Sequence, residues 1–92
     1  MNIAVHVRIS GRVQGVCYRD WTVQQATILG LTGWVRNCRN GTVEAVFIGN
    51  HEGVNDMCER CHEGPPIAAV TDVQVGKTGV PDVEGFKVRS SI

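Results

Sequence analysis

The start of the chain places a strand, a glycine-containing loop and a helix in immediate succession, and this order limits the available folds. Apolar and polar residues alternate from Ile3 to Ile9, which predicts a half-buried strand. The stretch from Gly11 to Arg19 then leads into a segment with helical periodicity. Free N–H groups and the helix dipole at such a junction favour an anion. The loop therefore suggests a local oxyanion site, although it fits an ordinary connection with a surface arginine equally well.

The remainder of the chain repeats this alternation of strands and helices. Its periodicity predicts helices over 18–29 and 51–63, strands over 31–37, 42–48, 71–75 and 86–88, and a loop over 76–85. Asn40 and Gly41 favour a type I′ hairpin turn, because both of its central residues need positive φ. The expected fold is an α+β, ferredoxin-like split βαβ (βαββαβ) sandwich. Its antiparallel sheet would carry two helices on one face and a solvated opposite face.

Size and charge restrict the class of protein further. A chain of 92 residues predicts a single domain, residues 1–92. Its nine basic and nine acidic side chains balance, which argues against nucleic-acid or anionic-membrane partners. No apolar run is long enough to span a bilayer, and no signal peptide is recognisable. We therefore expect a monomeric protein in the cytoplasm, where its cysteines stay reduced.

The four cysteines do not predict a thiol nucleophile or a metal centre. Thiol phosphatases commonly place an arginine six residues after the cysteine, and none of the four has one. The segment from Cys58 to His62 matches the C-x-x-C-H haem pattern, but both cysteines lie on the apolar stripe of the second helix, which favours core packing. A zinc site would need Cys17, Cys38 or a histidine to converge on this pair. We expect no metal and no cofactor.

Two polar residues remain as candidates for chemistry. Arg19 closes the loop, and its planar guanidinium suits phosphate or carboxylate oxygens. Asn37 ends the second predicted strand, where a carboxamide could orient a water beside a bound phosphate. An asparagine that simply favours a turn explains the same position, and the residue chemistry alone favours this simpler interpretation.

Two segments of the chain resemble the signatures of acylphosphatases. Gly11-Arg12-Val13-Gln14-Gly15-Val16, a variable position and Tyr18-Arg19 match the first signature. Gly33-Trp34-Val35-Arg36-Asn37, followed by Asn40-Gly41-Thr42-Val43-Glu44, matches the second. The resemblance continues to Gly85-Phe86-Lys87-Val88 and so covers nearly the whole chain. One departure is mild: residue 17 is cysteine, where many relatives carry glycine and others carry cysteine.

The resemblance implies hydrolysis of the carboxyl–phosphate bond of small acyl phosphates, without a metal or a covalent intermediate. The products would be a carboxylate and inorganic phosphate. The phosphoryl group would be bound by Arg19 and by the backbone N–H groups of Gln14, Gly15, Val16, Cys17 and Tyr18. Asn37 would position the attacking water.

Two other classes of function are compatible with the same topology. A non-catalytic module that senses phosphate or another ligand would keep the loop and lack turnover. An RNA-binding domain is disfavoured by the neutral charge and by the lack of exposed aromatic residues in an RNP-like strand pattern.

Overall fold

The computed structural model describes residues 2–92, in which two helices pack on a five-stranded sheet. In chain order the elements are β1 (Ile3–Arg12), α1 (Tyr18–Ile28), β2 (Thr32–Asn37), β3 (Val43–Gly49), α2 (His51–Cys61), β4 (Ala69–Thr78) and β5 (Phe86–Val88). The order of strands across the sheet is β4-β1-β3-β2-β5. The predicted βαββαβ order is confirmed. β4 is longer than predicted, because it pairs with β1 along most of that strand's length.

The antiparallel sheet predicted for the βαββαβ unit is confirmed for β1 to β4, and β5 adds a parallel strand at its edge. β5 pairs with β2 in parallel, whereas the other three pairs of neighbouring strands are antiparallel. β4 and β5 lie at opposite edges, so residues 79–85 must cross four strand spacings, about 19 Å. Seven extended residues reach at most about 25 Å. The connection therefore crosses the sheet in extended form and enters β5 alongside β2.

The sheet buries apolar side chains on both faces. Between the sheet and the helices, α2 contributes Val54, Met57 and Cys61, each fully buried in the main core, where α2 packs on β1 and β3. The expected core packing of Cys61 is confirmed. On the opposite face, Val83 of the crossing segment packs against a cluster formed by Ala4, Trp34, Val46 and Ile48. This second face is therefore partly covered, which the prediction of a solvated face did not anticipate.

A charged cluster lies on the same face as Trp34. Glu44 is only 7% exposed, and it pairs across the sheet with Arg8 and Arg36. Its carboxylate lies 2.5 Å from His6 Nε2, 2.6 Å from Arg36 Nε and 3.5 Å from Arg8 Nη2. Burial alone would raise the pKa of Glu44, but the hydrogen bonds and charges of His6 and Arg36 outweigh it and lower that pKa.

The turn between β2 and β3 differs from the predicted type I′ hairpin. Only Gly41 of the two central residues has positive φ, at 87°. Gly41 N donates to Cys38 O, and Cys38 N donates to Thr42 O, at 3.1 and 2.9 Å. These bonds close a three-residue loop with a left-handed glycine at its end, a common hairpin connection.

Both helices in residues 2–92 have eleven residues, and neither could span a membrane.

Candidate active site

The loop between β1 and α1 has a backbone suited to binding an anion. Gly15 has φ 72° and Cys17 has φ 64°, both in the left-handed region, while Val16 between them has negative φ. Alternation of this kind turns successive N–H groups into one concavity. Cys17 is the one non-glycine residue of residues 2–92 with positive φ. This conformation costs an L-residue about 1–2 kcal/mol, which explains why glycine suits position 17.

The N–H groups of this loop have no acceptor within the described residues. From Gly15 to Arg19, none of them donates to a backbone carbonyl anywhere in residues 2–92, and the first hydrogen bond at the helix start is from Trp21 N to Cys17 O, at 3.0 Å. Cys17 occupies the N-cap position of α1 without a side-chain cap. The loop therefore presents a run of free donors at the positive end of the α1 dipole.

Buried side chains hold the loop in place. Val13 and Val16 are 1% and 3% exposed and belong to the main core. The Tyr18 hydroxyl donates to Cys61 O at 2.7 Å, joining the start of α1 to the end of α2. Burial and the proximity of Cys61 raise the pKa of Tyr18, so its side chain stays neutral. Of the groups on Tyr18, only the backbone N–H is therefore available to an anion.

Arg19 is the half-buried arginine without a partner in the described chain. Its guanidinium forms no hydrogen bond and no ion pair within residues 2–92. Arg8, Arg36 and Arg60 are also half-buried, and each of them binds a side chain. A guanidinium at the first turn of α1 with all of its donors free can bind a ligand anion.

Asn37 presents a buried acceptor on the helix side of the sheet. It is the last residue of β2, and it has the same strand parity as Val35, which packs in the core beneath the helices. Its Oδ1 is buried and has no hydrogen-bond partner in the part of the chain that the structure describes. Leaving such a group unsatisfied costs about 1–3 kcal/mol, and an ordered water is the ordinary remedy.

The turn role that we considered for Asn37 belongs to its neighbour Asn40. Asn40 Oδ1 accepts from Thr42 Oγ1 at 2.6 Å and from Thr42 N at 3.2 Å. This is the local bonding pattern by which asparagine favours a turn. Asn37 takes no part in it, so its carboxamide oxygen remains available to a molecule outside the protein.

The Gln14 side chain joins the loop to the end of β2. Its Nε2 lies 2.8 Å from Cys38 O and 2.8 Å from Thr42 O. Cys38 directly follows Asn37, so these bonds bring the loop and the strand end that carries Asn37 together. The sequence predicts a role only for the backbone N–H of Gln14, and the structure adds these two side-chain bonds. A polar residue in the short interval between Val13 and Val16 is the signal that could have indicated a side-chain role.

The cysteines do not form a metal centre. No group of three or more histidine, cysteine, aspartate or glutamate side chains between residues 2 and 92 is arranged to hold a metal ion. Burial raises the pKa of Cys61 to about 12, and burial also raises that of Cys58. Neither thiol is therefore inclined to form the thiolate that a metal or a reactive nucleophile requires.

A surface groove of about 590 Å³ lies elsewhere. It is lined by residues 2–5, the start of α2 and the end of β4. The loop follows the opposite end of β1, about 30 Å away along a ten-residue strand. None of the predicted site residues lines this groove, so the loop remains the candidate active site on the basis of its free donors.

Comparison with known proteins identifies the family of the chain. A family model described as Acylphosphatase matches residues 5–88. The chain belongs to the acylphosphatase family. It is 52% identical over 86 residues to an acylphosphatase of Rhodospirillum rubrum, with 94% of each chain covered. It is also 52% identical over 84 residues to one from Haloarcula marismortui, covering 91% of this chain and 92% of that protein.

Solved structures of acylphosphatases share the fold. The structure from Coxiella burnetii matches with a TM-score of 0.93 and 41% identity, covering 96% of this chain and 93% of that one. The structure from Bacillus subtilis matches with a TM-score of 0.91 and 28% identity, covering 95% and 98%. The resemblance given by the two sequence signatures is therefore confirmed. As an acylphosphatase the chain is an enzyme, a hydrolase of acyl phosphates.

Proposed function

We propose that the loop of residues 14–18 and Arg19 hold the phosphoryl group of a small acyl phosphate while Asn37 orients the water that hydrolyses it. The observation that carries this proposal is the buried Oδ1 of Asn37, which lacks a partner within residues 2–92. It lies on the strand end that Gln14 ties to the loop of free N–H donors. A water bound there would be beside a phosphoryl group bound on the loop.

The first step is binding of the phosphoryl group. The N–H groups of Gln14, Gly15, Val16, Cys17 and Tyr18 donate to its oxygens, and the guanidinium of Arg19 adds a charge-assisted pair of hydrogen bonds. These donors are already oriented in the folded loop, so little reorganisation accompanies the development of charge in the transition state. Phosphoryl transfer depends mainly on such positioning and on electrostatic stabilisation.

The second step is attack by water on phosphorus. Asn37 Oδ1 accepts one hydrogen of the water and thereby directs an oxygen lone pair at the phosphorus. A bond forms between that oxygen and phosphorus, while the bond from phosphorus to the acyl oxygen breaks and its electron pair leaves with the carboxylate. A phosphoryl oxygen of the substrate accepts the proton of the water. A carboxylate is a good leaving group, so no strong general acid is needed.

Turnover of benzoyl phosphate in the presence of a chelator tests this proposal, and Arg19→Ala tests the site. Removing a charge-assisted contact should weaken inhibition by inorganic phosphate by about 2–3 kcal/mol, roughly 30- to 150-fold. Lys77→Ala removes the same charge from an exposed position on β4 and serves as the control. Equal phosphate inhibition in Arg19→Ala and wild type would show that the anion binds elsewhere.

The alternative to catalysis at this site is a module that only senses phosphate, which the membership of the chain in an enzyme family disfavours. Phosphate binding on the loop without turnover of benzoyl phosphate would favour it. The proposed partners are the small acyl phosphate and the product phosphate alone.

We propose that a monomer in the cytoplasm carries out the reaction, because one chain supplies every group named above. Light scattering on the purified protein measures the molar mass and so tests the monomeric state, which an obligate dimer would contradict.

A further inference from the structure

The side chain of Gln14 makes the closest polar link between the loop and the turn beyond Asn37. An amide nitrogen carries two hydrogens, and Gln14 Nε2 lies 2.8 Å from each of two carbonyl oxygens, Cys38 O and Thr42 O. It can therefore donate one hydrogen to each. Two bonds from one planar group fix both the distance and the orientation of the parts that they join.

The two carbonyls belong to the residues that close the turn between β2 and β3, and other hydrogen bonds already fix this turn. Thr42 O also accepts from Cys38 N, and Cys38 O also accepts from Gly41 N. Gln14 therefore occupies the second lone pair of each oxygen. Arg8 Nη1 donates to Thr42 Oγ1 at 3.1 Å and holds the turn from the other face of the sheet. The loop is thus tied to a rigid part of the molecule.

We propose that Gln14 is a positioning residue that sets the loop donors and the Asn37 carboxamide at their working separation. Gln14 directly precedes Gly15, where the left-handed backbone of the loop begins, and Cys38 directly follows Asn37. This inference rests on the proposed roles of the loop and of Asn37. Loss of the two bonds leaves the loop N–H groups and Arg19 in the protein, but lets the bound phosphoryl group and the attacking water drift apart.

Gln14→Met tests the inference, because methionine has a similar length and no donor. Misplacement by about 1 Å can cost about 100-fold, so we expect kcat for benzoyl phosphate to fall about 10- to 100-fold. The inhibition constant for inorganic phosphate should change by less than about threefold. Loss of phosphate affinity equal to the loss of kcat would overturn the inference, since Gln14 would then act in binding.

Gln25→Met is the matched control for lost stability. Gln25 Oε1 accepts from Arg60 Nη1 at 2.7 Å, which links α1 to α2. It lies about 10 Å along α1 from Tyr18. We expect both glutamine variants to unfold at lower denaturant concentration, but only Gln14→Met to lose turnover. Equal kcat values in the two variants would overturn the inference.

Gln14→Glu provides a pH profile that a purely structural role would not produce. The ionised carboxylate turns oxygens towards two carbonyl acceptors and cannot donate to either. Protonation restores one donor. The ratio of its kcat to that of wild type should therefore rise from about pH 8 to about pH 5, whereas the ratio for Gln14→Met should stay flat. A flat ratio for Gln14→Glu would contradict the inference.

A titration with inorganic phosphate, followed by NMR, separates this inference from the proposed function. In the wild type, phosphate should shift the backbone N–H signals of residues 15–18 and the side-chain NH₂ signal of Asn37 together. In Gln14→Met the loop signals should still shift while the Asn37 response is lost. An unchanged Asn37 response would overturn the inference even in an active enzyme. Absence of any loop shift in the wild type would instead contradict the proposed site.

If Gln14→Met does not fold, the wild type decides the matter through the Gln14 side-chain NH₂ group. Both of its hydrogens should exchange slowly with solvent, because both are donated to backbone carbonyls in half-buried hydrogen bonds. Rapid exchange of either hydrogen would overturn the inference.

Discussion

Replacing Asn37 by alanine should separate activity from stability. The Oδ1 of Asn37 is buried and has no partner within residues 2–92, and an unsatisfied acceptor of this kind costs about 1–3 kcal/mol. Asn37→Ala removes that cost together with a small amount of packing. If a water already binds to Oδ1, the substitution increases the free energy of unfolding by less. We therefore expect the free energy of unfolding to stay unchanged or to rise by up to about 1 kcal/mol.

The same substitution should abolish the orientation of the attacking water. Turnover of benzoyl phosphate should fall by about 100-fold or more, with inhibition by inorganic phosphate nearly unchanged, because the loop and Arg19 remain. In thermal unfolding, a gain of about 1 kcal/mol raises the midpoint by about 4–8 °C for a domain of this size. Urea denaturation and initial-rate kinetics measure the two quantities on the same samples.

Asn40→Ala is the matched control, three residues away in the turn that follows β2. Asn40 Oδ1 accepts two hydrogen bonds from Thr42, so its loss should lower the free energy of unfolding by about 0.5–1.5 kcal/mol. Two results would refute the reasoning. Turnover of Asn37→Ala within about threefold of wild type would remove Asn37 from the mechanism, and destabilisation greater than that of Asn40→Ala would show that a protein group satisfies its oxygen in the folded state.

Two further substitutions test the loop and the sheet. Cys17→Gly should raise the free energy of unfolding by about 0.5–1 kcal/mol, since glycine relieves the left-handed strain but loses more entropy on folding. This variant should also retain turnover of benzoyl phosphate. An inactive variant would show that the thiol is essential. Glu44→Gln should be less stable than wild type at neutral pH, and the difference in the free energy of unfolding between the two proteins should decrease as pH falls. Because the pKa of Glu44 is lowered in the folded state, its stabilisation is present above the ordinary value of 4.5 and is lost as pH drops through the lowered pKa. Urea denaturation across that range measures the gap, and a constant gap would contradict the assignment.

The sequence predicted the elements that depend on local periodicity. Alternation from Ile3 to Ile9 placed β1 and its buried face correctly, and the helical periodicity over 18–29 placed α1 to within one residue. The direction of β5 could not be predicted in this way, because Phe86 and Val88 alternate identically in a parallel and an antiparallel strand. Its position follows from the crossing of residues 79–85 over the face that holds Trp34, a contact between distant parts of the chain.

Some features of the candidate site can likewise be predicted from the sequence, whereas others depend on the folded structure. Glycines and an arginine within one short loop suggest an anion site from sequence, since their donors are neighbours in the chain. The different roles of Asn37 and Asn40 depend on hydrogen bonds that only the folded turn defines. The side-chain role of Gln14 depends on acceptors 24 and 28 residues away. Such pairings follow from strand register, which local composition does not encode.

The central claim is that the loop holds the phosphoryl group so that water attacks phosphorus, and hydrolysis in ¹⁸O-labelled water tests it most directly. The account predicts that a single turnover of benzoyl phosphate places one labelled oxygen in inorganic phosphate and none in benzoate. Label in benzoate would mean that water attacks the carbonyl carbon, which would contradict the assignment of the loop, Arg19 and Asn37 to attack at phosphorus.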